Sequence, residues 1–515
     1  MDRPPSFIVE ASREGLPTLA VPRGGSRTYL HSRISPSREG SSLEAEFHPE
    51  RYDVLVVLGV GLGYHLLPLT AEGINYRRIL LIDILPGIEN EIARNPLTSF
   101  LNGPKTRLLS GASSEEIEGI LFDLLDTGVE RGIQVIEHPP SIRLFPEYYG
   151  RVKEIVQRAV DRFGGNRATK AAFGPRYLRN AILNLTAIDR FVPVSSLFGR
   201  LSGLPGVVVT SGPTLDGVVP HLRKARSRVV VLAVDSAVSS LSAAGIIPDL
   251  AVSIDPQQHV LEHFAHAWPD SLATVFSTTS YPLAPRRQAG YISLNSHPAS
   301  QLLDELRPGS IGSIDSLTGT VAGDALLLAH RLGLSPIALA GFDFCFIDHA
   351  IYARNSAYQR RFALYFQNRF HPVESQNLSY IFKSSGGHLV DGRFSRRSFE
   401  AYRSSIESLL RRESIRNIHR LEPTGVRLQG ADELSAERFF EGIQHSTAIE
   451  AVPALPLPTP IKPERPFFGD LREVLSEDDV LGRLITASLG EGAPRAVVES
   501  ARRKMTHMLE MEKKE

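Results

Sequence analysis

Four apolar runs in this 515-residue chain end alike, on an acid or a hydroxyl with a helical pattern close behind. "GVVVTSGPTLDGVVPHL", Gly206 to Leu222, stops on Ser211-Gly212-Pro213-Thr214. "VVVLAVDSAV" ends on Asp235 and Ser236, "LAVSIDPQ" on Ser253 and Asp255, and "IALAGFDFCF" on Asp343. Ligands of open α/β sheets bind outside the carboxyl ends of the strands, so these groups should converge on one cleft. Three carboxylates there can orient a sugar or ribose, act as a base, or hold a divalent cation such as Mg2+ through oxygen. Each also has the composition of a plain helix cap.

Pro213 suits a first helical turn, where its missing N–H would be unbonded anyway. The turn is then either an ordinary strand-to-helix connection or an anion seat, with amides and the positive helix end facing a phosphate or carboxylate. It lacks the lysine of a P-loop, which weakens kinase and NTPase readings. A second glycine turn is Gly59-x-Gly61-x-Gly63 in "VLVVLGVGLGYHLLPL", with Asp83 closing the next strand. Its context fits a nucleotide cofactor, the acid taking a ribose hydroxyl. The dehydrogenase spacing is not met, the form is closer to methyltransferases, and tight strand-helix packing explains the glycines equally well.

Asp348-His349 follows the strand of Asp343, where His349 can serve as a base. His259, His263 and His266 lie at helical spacing without the acid or cysteine pattern of a zinc site, and read best as a solvated face. The basic-aromatic segment "YQRRFALYFQNRFHP" (Tyr358 to Pro372) either holds an anionic partner or packs as an amphipathic helix.

The elements that must position these groups are strands alternating with helices, which predicts a mainly parallel sheet covered on both faces. The fold class is therefore α/β and multi-domain. Residues 1–150 form a Rossmann-like N-terminal domain and 151–200 a basic helical bridge. Residues 201–350 form a central doubly wound, mainly parallel sheet, and 351–450 a helical part. A proline-rich linker (451–466) and a charged helical tail (467–515) follow. Lys plus Arg and Asp plus Glu are 57 each, so no global field points to nucleic acid. The single cysteine, Cys345, excludes an internal disulfide framework. No apolar run approaches a membrane span, and the first residues lack a secretory pattern. A soluble, cytoplasmic protein is expected.

Several segments together resemble the motility accessory factor (Maf) flagellin glycosyltransferases, whose central domain is shared with the MptE-like 6-hydroxymethylpterin diphosphokinases. "VVVTSGPTLDG" matches an apolar strand followed by G-P-S-L-D, with threonine for serine. "AVDSAVSSLSAAGIIPDLAVSIDP" is a close match, and "GFDFCFIDHA" a shortened one. "YLHSRISPSREG", "VVLGVGLGYHL" and "RLEPTGVRLQGA" are similar to the family's outer segments, so the likeness spans most of residues 25 to 432. It implies a central domain similar in fold to sialyltransferases. It further implies transfer of a sialic-like nonulosonic acid, such as pseudaminic or legionaminic acid, from a CMP donor to Ser or Thr of flagellin. Ser211, Gly212, Pro213, Thr214, Asp235, Ser236 and Ser253 would then bind substrate, with the CMP phosphate at the Gly212–Thr214 helix start. Asp255 or Asp343 would be the base, with His349 behind them. A diphosphotransferase using ATP and Mg2+, and a non-catalytic flagellin- or nucleotide-binding module, are the alternatives.

Overall fold

The computed structural model describes residues 5–511 apart from 24, 127–131, 266–268, 270–271, 283–289, 307, 366, 385, 445–473, 476 and 490–492. His266 and the proline-rich linker lie outside the described residues. The chain divides into two compact units, Met1–Ala172 and Phe173–Glu515.

The first unit opens with a small antiparallel sheet, β1 (Ile8–Ala11), β2 (Pro17–Arg23) and β3 (Ser26–Tyr29). A parallel sheet follows from β4 (Val54–Leu58), β5 (Arg78–Asp83), β6 (Thr106–Ser110) and β7 (Ile133–Glu137), in the order β6-β5-β4-β7. β4 is buried on both faces: Leu55 and Val57 join one apolar cluster, Val54, Val56 and Leu58 another. That is why "VLVVL" reads as an unbroken apolar run rather than an alternating one. The segment after the glycine turn is a 3-10 helix, Tyr64–Thr70, rather than the α-helix its pattern suggests. Pro68, which has no N–H to donate, sits inside it.

The second unit is built on one nine-stranded sheet. Its strands are β8 (Phe191–Pro193), β9 (Gly206–Val209), β10 (Val230–Val234), β11 (Leu250–Ser253), β12 (Ala273–Ser277), β13 (Gly290–Ser293) and β14 (Ile337–Ala340). Two short hairpins come next, β15 (Gln367–Asn368) with β16 (His371–Pro372) and β17 (His388–Val390) with β18 (Arg393–Ser395). β19 (Ile418–Leu421) and β20 (Asp432–Leu434) complete the sheet. Every pairing in it is parallel, in the order β20-β19-β14-β9-β10-β11-β12-β13-β8. All five residues of β10 are buried, and each Val or Leu taken out of water there contributes roughly 1.5–3 kcal/mol.

Two spans read as helical also supply sheet edges: β8 comes from 151–200, and β19 and β20 from 351–450. These strands are three or four residues long, and "IHRL" and "DEL" carry charges that hide them among helical patterns. The rest of 151–200 is dominated by the helix Pro146–Thr186. Tail helices run over Asp478–Leu489 and Arg495–Met511.

Candidate functional site

From β9 the chain steps through β10, β11, β12 and β13 in one direction, then returns to lay β14 on the other side of β9. The strand order reverses between β9 and β14, and such a switch point opens a crevice at the carboxyl ends of the strands. Ser211–Thr214 leave β9 there, and Gly341–Asp343 leave β14.

The two connections close tightly on each other. A Cβ on Gly212 would land on the Gly341 carbonyl oxygen and on Asp343 Oδ2. Gly341 has a φ of +77°, and a Cβ on it would stand 2.5 Å from the Thr210 carbonyl oxygen. Thr210 Oγ1 donates to Gly341 O at 2.6 Å. Asp343 then points into the helix start: its Oδ2 accepts from the Thr214 amide at 3.0 Å, and its Oδ1 accepts from the Thr214 hydroxyl. The Leu215 and Asp216 amides go to the Gly212 and Pro213 carbonyls. At Gly212–Thr214, where a phosphate is expected, the chain's own Asp343 carboxylate meets the Thr214 amide and hydroxyl. Burial raises the Asp343 pKa to about 6, against the pull of the Thr214 bonds and the buried Arg420 guanidinium.

Next to it, the ends of β10 and β11 gather a second set of groups. Asp235 is buried; its Oδ2 accepts from Ser253 Oγ at 3.0 Å and its Oδ1 from the Ser236 amide at 2.7 Å. His263 Nδ1 stands 3.2 Å from Asp235 Oδ1 as an ion pair, without hydrogen-bond alignment. Burial, the largest influence, opposes the His263 cation, but Asp235, Asp255 and Glu262 together outweigh it and raise the pKa. Asp255 is only partly buried and accepts from the Gln257 amide at 2.7 Å, with His259 Nε2 3.6 Å from its Oδ2. Burial raises the pKa of Asp255, and the nearby charge of Asp235 adds to this against the Gln257 bond and His259. Ser211 Oγ and Ser236 Oγ lie 3.0 Å apart, bridging the ends of β9 and β10.

Tyr358 closes this cluster, its ring 5.5 Å from His263, 6.4 Å from His259 and stacked on Tyr352 at 4.5 Å. His263 and Tyr358 were not among the expected site residues. His263 is buried rather than part of a solvated face; its signal was the four-residue spacing Asp255, His259, His263, which carries the helix face on from the strand-end acid. His349 is elsewhere: it is exposed, at φ +59°, with its ring 6.1 Å from Phe382. The structure joins Ser211, Asp235, Ser236, Ser253 and Asp255, sets Asp343 on Thr214, and leaves His349 outside the cluster.

The glycine turn of the first unit is filled by protein. Asp83 is wholly buried; its Oδ2 accepts from the Val60 and Gly61 amides at 2.7 and 2.8 Å, and its Oδ1 from Leu85 at 2.9 Å. A Cβ on Gly59 would meet Ser141, one on Gly61 would meet His31 Nε2, and one on Gly63 would meet Leu101. His31 Nε2 in turn accepts the Leu62 amide at 2.7 Å. The cofactor reading of Gly59, Gly61, Gly63 and Asp83 therefore meets a loop whose polar groups are already paired. His31, Glu39 and His138 form a group with metal-ligand atoms in reach of one another. Both ring nitrogens of His31 are already engaged, by Leu62 and Glu39.

The MptE-like family model (6-hydroxymethylpterin diphosphokinase MptE-like) matches residues 179–349. Three proteins of Treponema pallidum (strain Nichols), described only as uncharacterized, are similar. One is 27% identical over 230 residues, 43% of this chain and 75% of its own length. Another is 27% identical over 118 residues, and a third is 24% identical over 238. The matches span 55% and 38% of those two relatives' lengths. Among solved structures, the Maf glycosyltransferase from Magnetospirillum magneticum AMB-1 superimposes with a TM-score of 0.52 at 14% identity. The superposition covers 99% of this chain and 86% of that one. The chain thus carries an MptE-like domain at its centre and has the fold of a Maf glycosyltransferase.

Proposed function

We propose that this chain is a glycosyltransferase that moves a nonulosonic acid from a CMP donor to Ser or Thr hydroxyls of flagellin, in the cytoplasm. The observation that carries the reading is the Asp235–His263–Asp255–His259 cluster beside the strand-order reversal, within a fold shared with a Maf glycosyltransferase.

Asp255 takes the role of base. It is the more accessible of the clustered acids, and burial raises its pKa, which makes it a stronger base than an ordinary carboxylate. As the acceptor oxygen bonds to the anomeric carbon, the bond from that carbon to the phosphate oxygen breaks, and the hydroxyl proton passes to Asp255. Ser211 and Ser236 present paired hydroxyls to the departing CMP phosphate. The Asp235–His263 pair, held by Ser253, is the fixed wall against which Asp255 is placed. Asp343 serves the turn rather than the reaction.

Intact-mass analysis of flagellin from cells with the wild-type gene, without it, and with Asp255→Asn tests this. The mass increment should vanish in the last two, while CMP still raises the melting temperature of the purified variant. An unchanged flagellin mass on deletion would refute the reading. A second reading, diphosphotransfer from ATP with Mg2+ on Asp235 and Asp255, is favoured by the MptE-like match. Stabilisation by ATP and Mg2+ but not by CMP would select it.

A further inference from the structure

Among the described residues, the segment between β14 and the helix Arg397–Arg412 leaves large apolar side chains exposed. It builds a small nucleus of its own from Phe346, Ile351 and Ile381, packed by Tyr352, Phe362 and Phe394. Outside that nucleus, Leu364, Tyr365, Phe370, Phe382 and Leu389 remain 57–77% exposed. Large apolar side chains massed in one exposed segment mark an interaction site. The same segment is basic in a chain of zero net charge: residues 341–396 hold seven Lys or Arg against four Asp or Glu. Arg369, Lys383 and Arg393 are exposed and have no carboxylate partner among the described residues.

The root of the segment is fastened to the candidate site. The Ala353 amide donates to Ser211 O at 2.8 Å, Ser239 Oγ to Asn355 O at 2.8 Å, and Arg361 pairs with Glu262 at 3.3 Å. One helix, Ala357–Tyr365, begins beside the site with Tyr358 over His263 and ends in the exposed Leu364 and Tyr365.

We infer that this basic, aromatic surface docks the polypeptide acceptor, through a segment that presents carboxylates beside apolar side chains. The inference rests on the proposed function and names where its acceptor binds. A basic apolar surface also suits an anionic membrane. Continuity with the groups that must meet an acceptor hydroxyl favours the polypeptide.

The test uses the full chain, monomeric flagellin from a strain lacking it, and two variants, Phe370→Ser/Leu389→Ser and Arg369→Glu/Lys383→Glu. None of the four residues belongs to the small nucleus or to the clustered acids. Each variant should bind flagellin at least about tenfold more weakly, wild-type binding should weaken with salt, and the CMP-induced melting shift should be the same in all three. Undiminished binding by both variants overturns the inference. So does absence of flagellin binding by the wild type. It is equally overturned if the substitutions abolish flotation with phosphatidylglycerol vesicles, or self-association in sedimentation, and leave flagellin binding intact. The CMP shift reports on the donor site alone, so its absence in the wild type would count against the proposed function while the flagellin arm still decides the docking surface.

Discussion

Asp343, at the end of β14, and Thr214, at the head of the helix after β9, hold each other across the strand-order reversal: one carboxylate accepts both the amide and the hydroxyl of one threonine. This pairing turns an apparent anion seat into a clasp between two connections far apart in sequence. Serine should replace Thr214 with little loss, since it keeps the hydroxyl. Thr214→Val leaves a buried carboxyl short of a partner and should cost about 2 kcal/mol, read as a lower urea midpoint.

The same clasp responds to pH. Folded Asp343 titrates at about 6, whereas an unfolded aspartate titrates near ~4. The folded chain therefore holds the extra proton between those values, and the stabilisation is full below the unfolded pKa and fades as pH rises through the folded one. Asparagine at 343 has no such proton. The stability difference between wild type and Asp343→Asn should shift against the wild type by on the order of 2 kcal/mol between about pH 4 and 7, measured by urea unfolding at each pH.

Two glycines five residues apart, Gly212 and Gly217, have opposite surroundings. Gly212→Ala would drive a methyl into the Gly341 carbonyl and the Asp343 carboxylate. It should cost about 3 kcal/mol or more, since backbone on both sides must move. Gly217→Ala meets only the Glu422 side chain, at 3.4 Å, within the helix Leu215–Ala225. It should be neutral or stabilise by roughly 0.5–1 kcal/mol. Thermal unfolding of the two variants separates a close approach from an ordinary helical glycine.

His263 should report on Asp235. In the wild type the His263 pKa is raised, because the interactions with Asp235, added to the charges of Asp255 and Glu262, together outweigh burial. Asp235→Asn removes the Asp235 charge and keeps the burial, so the pKa must fall. Carbon-labelled histidine spectra across pH would show it, and an unmoved His263 resonance would refute the pairing.

In the first unit, dinucleotides and S-adenosylmethionine should leave the melting temperature unchanged, since Asp83 already holds the Val60 and Gly61 amides. Gly61→Ala, at φ +53° and against His31, should destabilise that unit. A clear upward shift with either ligand would restore a cofactor site there.

The local code was plain where burial is two-sided. The runs that became β4, β9, β10, β11 and β14 are continuous and apolar because a parallel sheet is covered on both faces, and their terminal acids and hydroxyls were visible as such. From those runs the α/β class and the grouping of Ser211, Asp235, Ser236, Ser253 and Asp255 follow without a structure. Short charged edge strands such as β19 and β20 leave no such trace. Nor does sequence say which partner a strand-end acid finds. Asp235, Asp255 and Asp343 look alike in their local contexts, yet one pairs with His263, one stays half-open beside His259, and one clasps Thr214. Only the order of strands decides this, because setting β14 against β9 aims Asp343 at a helix start, while setting β10 against β11 leaves two carboxylates facing two histidines.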